Sequence, residues 1–460
     1  MANLFPCPSC GGQLIYDVKS HQMKCQSCGA FFSIDEYRSQ EFDYTREVVT
    51  CPNCGGEVAA PSLDGMNFCP YCGAEIANAE HFSAKGYPEK IIPFALSKQD
   101  CIERYQRMVD GVPFLPDDLK TSDGLQSFVG LYTPYWIYNY EAKGRVSVPI
   151  ERFDSDAMYD YHYTADMETD LDCEISVGQD ASETLDDTVS GQIDPFFYEK
   201  ICDFNPNYMA GFYAENSTVD PSIYEDSSKR KCADAIRIRM DQKACENDGY
   251  SLAENSAEME RELDPYISER DHAEGAYLPL WFLTTRKNDR VAYTVVNGQT
   301  GATHADLPVD FGKYVRSSLI ASAISAVILL LLFAVFGTID MKVVPVVTLI
   351  LSIILMVVSM AQANSIYRKE NHLDDAGYTG NRQMTQRPML STVLSAVGIV
   401  LSGADIFLDP HSDVIMYLLL IVCIAIMIVV ALIMARDYNR IATNPVPQFR
   451  KTGGNLNGKY

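Results

Sequence analysis

Residues 7–28, CPSCGGQLIYDVKSHQMKCQSC, and residues 51–72, CPNCGGEVAAPSLDGMNFCPYC, carry one cysteine pattern twice. In each, a Cys-x-x-Cys pair is followed after 14 residues by a second pair, and the two sets are offset by 44 positions at every cysteine. Two cysteines three positions apart converge on one metal from a tight turn. Two such knuckles complete the tetrahedral site that zinc takes in structural centres. The candidate ligands are Cys7, Cys10, Cys25 and Cys28 in the first set and Cys51, Cys54, Cys69 and Cys72 in the second. A glycine follows the second cysteine of every knuckle and permits a positive φ there, which lets backbone amides approach the sulfurs. The 14-residue connections suit short hairpins. Each unit is too small to hold together by burial, so metal supplies its folding free energy, on the order of 10–16 kcal/mol for structural zinc. Two zinc ions per chain are expected, both closed by four thiolates and without an open position for catalysis. The two-knuckle spacing favours zinc over an iron–sulfur cluster. His21, between the knuckles, is a further candidate ligand that reads better as a surface residue of the hairpin.

Outward from this segment the composition splits. Eight of the 14 cysteines lie in the first 72 residues, and the other six are scattered singly through the 460-residue chain. This is the pattern of a reduced, intracellular protein rather than a disulfide scaffold. The start, MANLFPCPSC, has neither the basic region nor the apolar stretch of a signal peptide. Net charge is −24 and mean hydropathy −0.07, an average over a very acidic body and an apolar end. Between residues 151 and 274 there are 32 Asp and Glu against 10 Lys and Arg. Such a surface repels phosphate backbones and anionic headgroups, and suits solubility, a basic protein partner or loosely bound cations.

Four apolar stretches close the chain: 317–339, 343–367, 388–404 and 414–435, all uncharged. About 20 apolar residues cross a bilayer core as a helix. The third stretch is the shortest, with Asp405 at its end, and a re-entrant segment is its alternative reading. Lys313 and Arg316 precede the first stretch, Arg368, Lys369, Arg382 and Arg387 lie between the second and third, and Arg436 and Arg440 follow the fourth. The positive-inside rule then places both termini and the central loop in the cytoplasm. No Lys, Arg, Glu or His interrupts a span, and Asp405 reads as a helix-end cap. Anchoring and oligomerisation are therefore favoured over ion coupling.

The expected architecture is multidomain. It comprises a first small β zinc ribbon over 1–46, a second over 47–80, an α+β, sheet-rich cytoplasmic domain over 81–312, an all-α membrane domain of four helices over 313–438, and a cytoplasmic tail over 439–460. In the central part, residues 97–110 read as an amphipathic helix with Ser97 and Asp100 as a capping box, and residues 229–244 as another helix. LYTPYWIYNYEAKGRVSV and YLPLWFLTTRKNDRVAYTVV read as strands, with turns at Asn297-Gly298 and Thr300-Gly301. Trp136 and Trp281 are expected in the core.

YTPYWIYNYEAKG, the PFFYEKI and NYMAGFYAE segments, and YLPLWFLTTRKNDRVAYTVVNGQTGATHADLPVD resemble a family of bacterial membrane proteins with N-terminal zinc ribbons and C-terminal membrane helices. These are catalogued as TFIIB-type zinc-ribbon or primosomal-helicase-like proteins. Leu280-Trp281 stands where Val-Trp is commoner in that family. The resemblance covers most of the chain. It implies cytoplasmic partners of the SPFH or phage-shock membrane-scaffold type and a place in membrane-stress response. A helicase role fits poorly, because the chain has no GxxxxGK[ST] phosphate loop. The expected function is a non-enzymatic, inner-membrane scaffold that recruits cytoplasmic proteins and self-associates through its membrane helices. The alternative is a membrane-tethered nucleic-acid-binding protein. It is disfavoured by residues 1–80, which hold four basic against ten acidic side chains. His162 and His304 are candidate catalytic groups that read better as surface residues.

Overall fold

A computed structural model describes residues 5–37, 45–59, 69–74, 82–86, 88–121, 125, 127–156, 158–182, 187–246, 249–253, 261–287, 289–336, 343–370, 390–408 and 413–446. The chain forms two cysteine clusters, a sheet-rich central body and a C-terminal helical region. A small sheet of β1 (Leu14–Asp17), β2 (Gln22–Cys25) and β3 (Phe31–Phe32) holds the first cluster. The hairpin expected between the first two knuckles is β1–β2, turning through His21 at φ 52°.

The second cysteine segment is built into the main sheet. β4 (Thr45–Thr50) pairs with β5 (Glu57–Ala59) and β6 (Phe82–Gly86), and β7 is Lys90–Ile91. β8 (Val129–Ser155) pairs along 21 residues with β9 (Asp160–Asp180). β10 is Cys202–Asp203, and β11 (Tyr213–Glu215) runs parallel to β8 on one side and antiparallel to β5 on the other. β12 (Ser251–Leu252) and β13 (Ile267–Glu269) pair with β8. β14 (Glu274–Lys287) joins β8 to β15 (Arg290–Asn297), and β15 pairs with β16 (Thr303–Ala305) and β17 (Asn444–Pro445). A boundary at residue 80 therefore cuts one continuous sheet. The segment between the second pair of knuckles supplies β5 to that sheet, and its residues 60–68 lie outside the described residues.

The core explains the aromatic motifs. Phe94 stacks on Phe212 with ring centroids 4.2 Å apart, and Trp281 packs against both. Gly130 makes room for them, since a Cβ there would sit 2.4 Å from the Phe212 ring. Trp281 is buried and donates its indole N–H to Leu96 O at 3.0 Å. Trp136 is half-buried and donates to Val219 O at 2.9 Å. The helix α1 (Lys98–Val109) starts at Ser97 with the expected capping box to Asp100. α2 is Asp187–Ile193. α3 (Glu225–Glu246) covers β8 and β9, burying Cys232, Ile236 and Met240 with Val146, Met167 and Leu171. In the NGQTG turn, the Asn297 carboxamide accepts from the Gln299 and Thr300 amides, and Gly301 adopts φ 83°.

The end of the chain is helical: α4 (Phe311–Phe336), α5 (Val343–Glu370), α6 (Leu390–Leu408) and α7 (Asp413–Ile441). Three segments, Pro345–Tyr367, Leu390–Phe407 and Tyr417–Ile441, are long and apolar enough to cross a membrane. The first apolar stretch is helical within α4, and its residues 337–339 lie outside the described residues. α5 and α6 meet along small polar side chains: Ser359 with Ser391 (2.8 Å) and Thr392 (2.6 Å), and Ser402 with Thr348 (3.2 Å). Small hydroxyl residues let helix backbones approach closely where lipid replaces water. Asp405, expected as a cap, lies inside α6 and is buried.

Candidate metal centres

The four knuckles share one backbone geometry. In each, the amide of the glycine after the second cysteine donates to the carbonyl of the first cysteine: Gly11 to Cys7 at 2.8 Å, Gly29 to Cys25 at 3.0 Å, Gly55 to Cys51 at 2.8 Å and Gly73 to Cys69 at 2.9 Å. The first cysteine's own amide donates across the turn, to Gly12, Ala30, Gly56 and Ala74 O at 2.7 to 2.8 Å. All four glycines lie at positive φ, 73°, 75°, 81° and 64°. A Cβ there would raise the energy by roughly 1–2 kcal/mol. The glycines are what allow each knuckle to close.

The knuckles converge in pairs. Cys7 and Cys28 Sγ lie 3.7 Å apart and Cys10 and Cys25 Sγ 3.5 Å apart. In the second cluster Cys51 and Cys72 are at 3.8 Å and Cys54 and Cys69 at 3.7 Å. Within each cluster all four sulfurs lie within 4.8 Å of one another. A disulfide would bring two sulfurs to about 2.05 Å. A tetrahedral ion with bonds of about 2.3 Å holds its sulfurs roughly 3.8 Å apart. The spacing fits a metal and not a crosslink, so each cluster is a site that could hold one metal ion. In the second cluster a hydrogen bond with the Cys54 thiol holds Cys51 down to about 6, and the same contact pushes Cys54 up. Four sulfurs this close do not carry negative charge together unless a cation sits among them.

The two centres differ in setting. In the first, Cys10 and Cys28 are exposed; in the second, all four cysteines are buried. The second is part of the core, with Tyr71 buried edge-on to Phe282 of β14 and the Thr284 hydroxyl donating to Pro70 O. Asn53 donates from Nδ2 to Cys72 Sγ at 3.4 Å, a contact the spacing of the cysteines gave no means to foresee. Asn216 donates to the Glu57 carboxylate at 3.0 Å, tying β5 to the residue after β11.

The first centre is docked by backbone. Tyr16 N donates to Ala210 O at 2.9 Å, and the buried Asn207 carboxamide donates to Ile34 O (2.7 Å) and Tyr37 O (2.9 Å). Tyr16 packs against Tyr208 and Phe212. The NYMAGFYAE motif is thus the seat of the first cysteine unit. His21 stands outside the sulfur cluster and shares a 2.8 Å hydrogen bond with the Tyr16 hydroxyl. His162 pairs with Glu151 at 2.9 Å on an exposed strand, and His304 bonds Gln192. Neither histidine joins a catalytic constellation among the described residues.

No family model matches this chain, and no solved structure matches it. It is similar to a Bacillus subtilis (strain 168) protein described as uncharacterized protein YdjG, with 24% identity over 323 residues. That match spans 67% of this chain and 91% of the relative.

Proposed function

We propose that this is a bacterial inner-membrane scaffold of the zinc-ribbon membrane-protein type. Two structural zincs build its cytoplasmic platform, and it recruits cytoplasmic proteins rather than catalysing a reaction. The observation that carries the reading is the placement of both tetrads. Each is closed by four sulfurs; the second lies in the core of the main sheet, the first is docked against it, and that sheet runs on into the helical region. A closed four-thiolate zinc performs no Lewis-acid step and stabilises a fold.

The topology reading is supported by one pair of contacts. Val309, just before α4, donates its amide to Asn439 Oδ1 at 2.7 Å and accepts from Asn439 Nδ2 at 2.9 Å. These contacts support a reading in which the start and the end of the helical region share one side, with an even number of crossings between them. On that reading α4 is a fourth span beside the three apolar helices after residue 343. The flanking Lys and Arg favour a cytoplasmic place for that side and for both termini. The small-residue seam between α5 and α6 suits packing within one bundle, and outward apolar positions such as Val400 are available for lipid or a second copy. Partners of the SPFH or phage-shock type are proposed on the sequence resemblance.

The test is the protein content of the membrane fraction in cells with and without the chain. Defined soluble proteins should leave the membrane when the chain is removed and return with the native chain. If no soluble protein changes fraction, the scaffold reading fails. Tight, salt-sensitive DNA binding by the purified chain would favour the tethered nucleic-acid binder instead.

A further inference from the structure

The β8–β9 ribbon extends beyond the sheet and helix that cover its base. Past Glu151 and Thr164, where β12 ends its pairing, the tip presents large side chains to solvent: Phe153 is 67% exposed, Met158 75%, Tyr159 64%, Tyr161 41% and Tyr163 40%. Tyr161 and Tyr163, two apart on β9, share a face, and Tyr159, just before the strand, continues that ladder against Tyr161. Tyr161 and Tyr163 are stacked at 6.3 Å and 19°, and Tyr159 is tilted onto Tyr161 at 6.4 Å. Asp156 locks the turn by accepting from the Met158 and Tyr159 amides, both at 2.8 Å, and from the Tyr161 hydroxyl at 3.0 Å.

The inner rung displays how the ladder is used. Arg152, opposite Tyr163 in the register, places its guanidinium 4.8 Å from the Tyr163 ring and 5.2 Å from the Tyr250 ring, and pairs with Asp154 at 3.2 Å. The next rung out has the same aromatic face, but its cross-strand partner is Asp154, a carboxylate. Residues 151–166 hold five acidic side chains against one basic. We propose that the tip is a docking surface for an arginine-bearing segment of a protein partner, its guanidinium lying over Tyr161 and Tyr159 beside Asp154 as Arg152 lies over Tyr163. Cation–π contact with a planar guanidinium, backed by carboxylates, is the chemistry that recognises such a segment. The same acidity disfavours insertion of the tip into an anionic bilayer. The inference rests on the recruitment reading and names the partner's chemistry. Its test is separate, because tip variants leave both tetrads intact.

The experiment uses the full chain in nanodiscs and fluorescence anisotropy of labelled octa-arginine and octa-lysine peptides at one ionic strength. Octa-arginine should bind more tightly than octa-lysine. The double substitution Tyr159→Ser/Tyr161→Ser, which leaves charge unchanged, should weaken octa-arginine binding by roughly five- to thirtyfold, the loss expected for two exposed cation–π contacts. Tyr159→Phe/Tyr161→Phe should stay within about twofold of native, because the ring faces remain. Equal affinity of the native and serine chains would overturn the proposal, reducing the binding to diffuse charge. Co-sedimentation with neutral phosphatidylcholine vesicles that the serine variant abolishes, without any preference for the arginine peptide, would overturn it in favour of a membrane-dipping tip.

Discussion

Replacing Asn207 by alanine isolates the docking of the first metal centre from the metal itself. The Asn207 carboxamide is 3% exposed and donates to both Ile34 O and Tyr37 O, at 2.7 and 2.9 Å. Each such bond contributes about 0.5–1.5 kcal/mol net, and its loss strands a carbonyl beside buried side chains. Asn207→Ala should therefore lower the free energy of local opening of residues 5–37 by about 1–3 kcal/mol, multiplying the opened population by roughly five- to 150-fold. Asn207→Asp should cost more, since it removes both donors and buries a charge. Native-state hydrogen exchange of the purified chain reads this directly. Amides in β1 and β2 should lose protection, those in β14 and β15 should keep it, and the metal content should stay at two. Unchanged protection in β1 and β2 would refute the view that Asn207 clamps the unit. Loss of the first metal would show that docking and coordination are not separable.

Cys10→Ser, at the exposed centre, should reduce bound zinc from two to one with the near-ultraviolet dichroism of the central body retained, whereas Cys54→Ser should lose that signal too. Elemental analysis finding iron, or one metal bridging the clusters, would sink the two-zinc reading. Reporters fused before Met1 and after Tyr460 should both be cytoplasmic; a C-terminal reporter on the far side would leave an odd number of spans. Burial raises the Asp194 carboxyl, so the native state binds its proton more tightly than the unfolded chain. The stability it contributes is present below the unfolded value of about 3.9 and is lost as pH rises through the folded one. Asp194→Asn should accordingly raise Tm more at pH 7 than at pH 4, and a pH-independent shift would contradict this.

The parts of the molecule legible in sequence were those where a side chain states its own geometry. The eight cysteines, the glycine after each knuckle, Ser97 with Asp100, Asn297 in its turn and the apolar stretches all carry such information. What escaped were joints made by main chain. The pairing of Glu215 with Val58 and the Tyr16-to-Ala210 bond leave no periodicity, because strands of three or four residues are too short to show one. The two cysteine units therefore looked like detachable beads. Removing residues 1–78 would instead strip β4 and β5 from the sheet and uncover the Phe212 cluster. Asp405, expected at a helix end, lies in the last turn of α6, which runs to Leu408.

The short pairing of β17 with β15 also bears on how the chain is made. Arg290 and Val291 find their partners in Pro445 and Asn444, and the Arg290 guanidinium reaches the Thr443 carbonyl at 2.9 Å. Between these partners in the chain lie the rest of β15, β16 and the whole helical region. β16 covers the far end of that β15 edge at Thr294–Val296, so it is the Arg290–Val291 end that waits for the residues after the last helix. An open strand edge is a template for wrong pairing. That end of the edge closes only after the whole helical region has been made, so the last piece of the sheet is also the last to be synthesised.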